Sequence, residues 1–331
     1  MDFNFFENSP PTYNVIDGDD DIPQFPCSYR SPDELKDISN NYKIASFSLL
    51  TYNIRSCRKN FGTFFTFLCN LMFRFSLIIL VETWLSSSAD CGFDIEGYKH
   101  VDIYRDNLGG GIKVFYDERF TVEVIDELTF MNACMEVLTF YLIGINFKYI
   151  VCSVYRSTGA DPVMFNVQFF TNVINKFPSN SKVILTGDLN LNLFNPLRHT
   201  YIDVFAASML SSGFFPVITI PAKINEGNLI TPYSLIDQVW VNFMTGSDHD
   251  SGVVVFPLTD HFPIYYMFKG DCLGTLKVVE SRLIKDDTML NFITAMSSSD
   301  FSLVFDADNL NTTFECFLGK TVEGLQFIFS Y

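Results

Sequence analysis

"VILTGDLNLN", residues 183–192, decides how this chain is read. Apolar residues from Val183 run into Thr186 and Gly187, and then Asp188 and Asn190 stand two apart. In a strand, residues i and i+2 face the same side, so a carboxylate and an amide emerge together at the strand's carboxyl end. Gly187 lets the backbone come close to a ligand. An acid and an amide so placed suit an attacking water: the acid accepts its proton and the amide fixes its orientation. The same letters also describe an ordinary strand end followed by an Asx-rich turn. The rest of the chain has to decide between the two.

Outward from this stretch, apolar segments repeatedly end in polar residues. "SLIILVETW" (76–84) is a fully apolar strand closing on Glu82, a carboxylate that needs a cation or an arginine beside it. "LTYNIRS" (50–56) ends a strand at Asn53, and "SVYRS" (153–157) ends one at Tyr155 and Arg156, both able to donate to a phosphate. In "SLIDQVWVN" (234–242), Asp237 interrupts an apolar run, and a histidine ring is its natural partner. Strands read at 45–54, 76–84, 140–147, 148–156 and 182–190 alternate with helices but also pair as hairpins, so the sheet is expected to be mixed. "GGGIKVFYDERFTVEVI" (109–125) reads as one such hairpin. Asp161 is the expected N-cap of a helix carrying Phe165, Phe169 and Val173 at helical spacing, with Pro162 in its first turn.

Half of the chain's four histidines fall in "SDHDSGVVVFPLTDHFPI" (247–264), as Asp248-His249 and Asp260-His261. The first pair lies in Gly/Ser-rich turn composition. The second links two core strands, where a rigid strand end can hold a working pair in place. Asp260-His261 is therefore the expected site pair and Asp248-His249 a decoy. Taken together, Asn53, Glu82, Tyr155, Asp188, Asn190, Asp237, Asp260 and His261 form a set of strand-end residues. Carboxylates converging on one site repel unless a cation joins them, so the set implies Mg²⁺ or Mn²⁺ and hydrolysis of a phosphate ester.

Bulk properties set limits on this reading. The 331 residues are 48% hydrophobic with 36 Phe, ample for a packed core, and carry a formal net charge of −16. The acidity sits mostly in the flanks: residues 1–44 hold nine acids and three bases, and residues 271–331 nine and four. No basic patch advertises nucleic-acid binding. Eight scattered cysteines without CxxC spacing read as reduced intracellular thiols. The start lacks the features of a signal peptide. "FGTFFTFLCNLMFRFSLIILV" (61–81) is long enough to span a membrane, but Asn70, Arg74 and Glu82 favour an amphipathic helix, a turn and a strand. Residues 1–43 read as a disordered acidic leader, 44–270 as the globular domain and 271–331 as a helical extension.

The ordered set "LTYNIRS", "LIILVETWL", "YRDNLGGGIKVFY", "SVYRS", "VILTGDLNLN", "SLIDQVWVN" and "LTDHFPI" resembles the endonuclease/exonuclease/phosphatase superfamily. Within it, the set looks like the apurinic-type endonuclease of non-LTR retrotransposons. The resemblance covers about residues 45–270, and 271–331 looks like the linker that precedes a reverse transcriptase. It implies a four-layer α/β sandwich, two mixed sheets packed face to face with helices outside. It implies Glu82 as principal metal ligand with Asn53 and Asp260 nearby, and Asp188 as the base that activates water. Asn190 would orient that water, Tyr155 would stabilise charge on the phosphate, and His261, oriented by Asp237, would contact the scissile phosphate. Arg105, Arg156 and Lys223 would meet the substrate. The implied partner is DNA, nicked by a monomeric, intracellular domain, nuclear or alternatively cytoplasmic, with no small-molecule cofactor and no membrane. Two departures stand out: "PAK" (221–223) in place of Pro-Thr-Arg, and Gln238 in place of the usual His. A phosphoesterase for lipid or inositol phosphates, or an inactive remnant, would share much of this set.

Overall fold

Alternation along "LLTYN" sets the frame: Leu50 and Tyr52 face one way, Leu49, Thr51 and Asn53 the other. The computed structural model describes residues 25–42, 46–86, 92–105, 109–194, 199–224, 233–245 and 248–269, together with Thr294. In chain order the elements are β1 (Cys27–Arg30), α1 (Pro32–Ser39), β2 (Ser46–Asn53), α2 (Cys57–Leu71), β3 (Leu77–Val81), β4 (Tyr98–Ile103) and β5 (Ile112–Asp117). Next come β6 (Thr121–Val124), β7 (Phe130–Met131), β8 (Met135–Ile143), β9 (Lys148–Arg156), α3 (Pro162–Asn172), β10 (Val183–Asp188) and α4 (Thr200–Ser211). The last are β11 (Phe215–Pro216), β12 (Lys223–Ile224), β13 (Tyr233–Ser234), β14 (Asp237–Val241), β15 (His249–Val254) and β16 (Ile264–Lys269).

These strands make two large mixed sheets. The first runs β1-β15-β16-β2-β3-β5-β4 and the second β11-β14-β10-β9-β8-β6, with β7 paired to β8. Leu50, Tyr52, Ile78, Leu80 and Phe115 pack outward against Leu35 of α1 and Phe61, Phe64 and Leu71 of α2. Leu49, Ile79, Val81 and Val114 turn inward to a core shared with the second sheet, whose own outer side meets Phe165 and Phe169 of α3 and Phe205 of α4. Helices, sheet, sheet, helices: the architecture is a four-layer α/β sandwich. Each fully buried Phe in these layers contributes about 2 kcal/mol of apolar transfer.

Three expectations need correction. Residues 25–42 are not a disordered leader. Ser31 and Glu34 form a reciprocal capping box that starts α1, Leu35 is fully buried, and β1 pairs in parallel with β15. An eight-residue helix is too short to show a period, so its cap read as a turn. Residues 112–124 are not a hairpin either. β5 ends in the first sheet and β6 begins in the second, the chain crossing at Glu118–Phe120 where Asp117 binds the Arg119 backbone and guanidinium. Nor does Asp237 interrupt its strand; it is the first residue of β14. The 61–81 segment does divide as expected, α2 closing on Met72 in the left-handed region (φ 51°) before β3. No described helix is long and apolar enough to cross a membrane. Among the described cysteines, Cys27, Cys69, Cys134 and Cys152 are free thiols. The chain divides into two units, Met1–Val279 and Glu280–Tyr331. The expected helical extension lies outside the described residues, Thr294 apart, as do residues 1–24 of the leader.

Candidate active site

Strand register assembles the site. Asp188 pairs across β10 with Tyr155 of β9 on one side and Asp237 of β14 on the other, so three polar side chains stand abreast at one rim. From the facing sheet, Thr51 and Asn53 share the inward face of β2. The Thr51 and Thr186 hydroxyls meet at 2.8 Å, and one step further along, Asn53 Nδ2 donates to Asp188 Oδ2 at 2.9 Å. The same amide nitrogen donates to Glu82 Oε1 at 3.0 Å, so one side chain holds two carboxylates from two sheets. Asn53 Oδ1 accepts from the Arg55 backbone at 3.2 Å. Expected as a metal ligand, Asn53 is occupied as a fork between the acids.

Gly187 is required, but not for a ligand. At φ 140° a Cβ would run into the Val154 carbonyl of β9, so the close approach is strand to strand. Asn190 is not on the strand either: at φ 47° it has turned away, its N–H donating to Asp188 Oδ1 at 2.9 Å in an Asx turn. Its side chain donates to the Arg156 carbonyl at 2.7 Å, and Arg156 Nη1 returns a bond to the Asn190 carbonyl at 2.9 Å. Arg156, expected to meet substrate, is buried and clamps the Asp188–Asn190 turn. Gln238 braces the same loop, donating to the Leu191 carbonyl at 3.0 Å while accepting from the Trp240 indole.

Glu82 sits on a strained segment. Arg55, Ser56, Glu82 and Trp84 all have positive φ, which costs about 1–2 kcal/mol for each such side chain. Backbone bonds hold them: Ser56 N–H to the Glu82 carbonyl, Thr83 N–H to that of Gly111, and Trp84 N–H to that of Gly110. Behind this loop lies Glu136, fully buried, accepting from Gly111 N–H at 2.6 Å and ion-paired with Arg105 at 2.8 Å. Arg105, expected to bind substrate, therefore neutralises a buried acid and also bonds the Ser157 hydroxyl. Sequence reasoning missed Glu136. Its signal was the one that found Glu82, an acid inside an apolar strand.

The histidine question is answered by a 2.7 Å bond between His261 Nδ1 and Asp237 Oδ2, both buried. The link carrying His261 is pinned to the "PAK" segment, Phe262 N–H donating to the Ala222 carbonyl and Ile224 N–H to that of Asp260. His249 lies elsewhere. It opens β15, not a loop, and packs edge-on to Phe25 at 5.3 Å, while Asp248 pairs with Lys269 at 3.9 Å. Asp260 also departs from expectation. Arg55 at 3.0 Å and Lys223 at 3.8 Å already meet its charge, at the mouth of a neighbouring cleft.

The electrostatics follow from burial. Desolvation, then the Asp237 charge, pushes Asp188 up to about 7. Burial works against a charged His261, but Asp237 and Asp188 outweigh it and hold its pKa above the ordinary imidazole value. Burial, then Glu82 and Asp188, raises the Tyr155 phenol, which stays a donor. Asp188, Asp237 and His261 present ligand atoms within 4.8 Å of one another. The short Asp237–His261 bond accounts for that end of the cluster as a hydrogen-bonded pair. The Glu82–Asn53–Asp188 end, two carboxylates on one neutral amide, is the part whose charge a cation would balance.

Solved structures with this arrangement of sheets are known. The AP endonuclease LMAP from Leishmania major is similar at TM-score 0.56 with 13% identity, covering 76% of this chain and 93% of that one. An AP endonuclease from Archaeoglobus fulgidus is similar at 0.52 and 13%, covering 68% and 100%. The chain has the endonuclease/exonuclease/phosphatase fold. The endonuclease domain of TRAS1, a telomere-specific non-LTR retrotransposon, shares it at TM-score 0.52 and 13% identity, over 68% of this chain and 99% of that one. No protein-family profile matches the sequence, and no curated protein does. In the endonuclease/exonuclease/phosphatase fold of this chain, the rim that gathers Asn53, Glu82, Tyr155, Asp188, Asp237 and His261 is the candidate active site.

Proposed function

We propose that the domain is a divalent-cation-dependent phosphodiesterase that nicks DNA, as the endonuclease of a non-LTR retroelement would. The observation that carries this reading is the Asn53 fork, which holds Glu82 and Asp188 together beside the His261–Asp237 pair. Glu82 and Asp188 are the residues that would hold Mg²⁺ or Mn²⁺, and the bound ion would neutralise charge on the phosphate oxygens. Asp188, held by Asn53 at the carboxyl end of β10, is placed to take the proton of an attacking water. Asn190, locked to Arg156, donates its backbone N–H to Asp188 Oδ1 and so positions that base. His261, kept charged by Asp237, donates to a non-bridging phosphate oxygen, and the Tyr155 hydroxyl donates to the same group. One copy carries the whole set, so a monomer suffices, and the nucleus is the compartment proposed for a protein with a DNA substrate.

A supercoiled-plasmid assay tests this. With Mg²⁺ the protein is expected to convert supercoiled to open-circular plasmid, and Asp188→Ala and His261→Ala to slow it at least ~100-fold, the range for losing a general base. His249→Ala is expected to leave the rate within about twofold. Nicking no faster than in the Asp188→Ala protein overturns the reading. Release of phosphate from an inositol phosphate with plasmid intact would move the site to small phosphoesters.

A further inference from the structure

Beside the acids lies a cleft lined by Arg55, Lys59, Trp84, Lys223, Leu258 and Asp260. It brings three cations against one carboxylate in a chain whose net charge is −16. Arg55 and Lys223 come from different elements and converge on Asp260, a partly exposed pairing that an incoming phosphate can displace. Trp84 is the second, independent observation. A bulky side chain rarely accepts a φ of 55°, and such outliers gather where function requires them. This one turns the indole into the cleft, 37% exposed, with Nε1 donating to Glu82 Oε2 at 3.3 Å. The aromatic face therefore stands next to the residue that would hold the cation.

We propose that this cleft binds an unpaired nucleotide of the substrate strand, its base stacked on Trp84 and its phosphates met by Arg55, Lys59 and Lys223. The proposal rests on the phosphodiesterase reading of the adjoining acids and adds to it a preference for a strand whose base is out of the duplex. Stacking on an indole serves any base, because every base has a π-face, while the cations follow the backbone. A base held in a duplex is already stacked and offers the cleft only its phosphates.

The full chain contains two tryptophans, and Trp240 is fully buried, so a change in fluorescence on binding reports on Trp84. The test titrates the protein, in EDTA to prevent cleavage, with a short oligothymidylate, a blunt duplex of the same length and inositol hexakisphosphate. Affinities come from polarisation of labelled strands. Oligothymidylate is expected to quench the indole, and Trp84→Leu to weaken its binding roughly tenfold. Duplex affinity should change less than about twofold. Trp84→Phe should restore most of the loss, which separates stacking from misfolding. Lys59→Ala should flatten the slope of log affinity against log salt by about 0.7 for the single strand. Equal losses for oligothymidylate and duplex, binding without quenching, or quenching as strong by inositol hexakisphosphate would each overturn the proposal. Quenching that needs Trp84 in a protein that nicks nothing would sink the phosphodiesterase reading and leave this one standing. Nicking with Trp84-independent binding does the reverse.

Discussion

Asp188 shows what one buried carboxylate can impose on the protein. In the fold it keeps its proton up to about pH 7, because burial and the Asp237 charge oppose ionisation. In the unfolded chain it releases that proton near pH 4. Between these values the unfolded state binds fewer protons than the folded one, so stability falls as pH rises through that window. Without divalent ions, the thermal midpoint is expected to drop from about pH 4 to about pH 7, and Asp188→Asn to flatten the drop. An Asp188→Asn profile parallel to wild type would mean that another group sets the slope. Asp188, Glu82 and the Asp237–His261 pair were legible because each stands at or beside the end of an apolar run. The roles of Gly187, Arg156 and Asn53 were not. Which partner a side chain meets depends on the neighbouring strand, and one strand's sequence does not contain it.

At the scale of elements, the clearest case is the stretch before the first long strand. Its acidic, proline-bearing composition reads as unstructured, yet β1 adds an edge to the first sheet and α1 seals that sheet's outer face. Leu35, fully buried there, is expected to behave as core: Leu35→Ala should cost about 2–4 kcal/mol in denaturant unfolding. Val163, exposed on α3, should give less than about 0.5 kcal/mol on truncation to Ala. A Leu35→Ala loss as small as that of Val163 would detach α1 from the fold. From residue 46 onward the long apolar strands and α3, capped by Asp161, were legible, whereas α4, which starts at His199 without a side-chain cap, was not. Sheet membership was not. β5 and β6 lie close in sequence and look like a hairpin, and only the packing of each apolar face decides that they part company.

The whole molecule divides its chemistry between two sheets: Asn53, Glu82 and His261 come from the first sheet or its ends, Tyr155, Asp188 and Asp237 from the second. Neither sheet alone holds the set. The first sheet, moreover, is built from both ends of the described chain, with β16 seated between β15 and β2. Until residues 264–269 have been made, β2 has only β3 beside it, and its other row of amides and carbonyls stays open. At roughly 5–20 residues per second, the interval between the making of Asn53 and of Ile264 is on the order of 10–40 s. A chain stopped after Phe256, with β15 but without β16, is expected to be aggregated or rapidly digested by protease, whereas one stopped after Lys269 is not. A soluble, resistant fragment ending at Phe256 would show that the sheet closes without its last strand. Otherwise the insertion of β16 makes this domain a late folder on the ribosome, in need of a chaperone to shield β2 until its neighbour arrives.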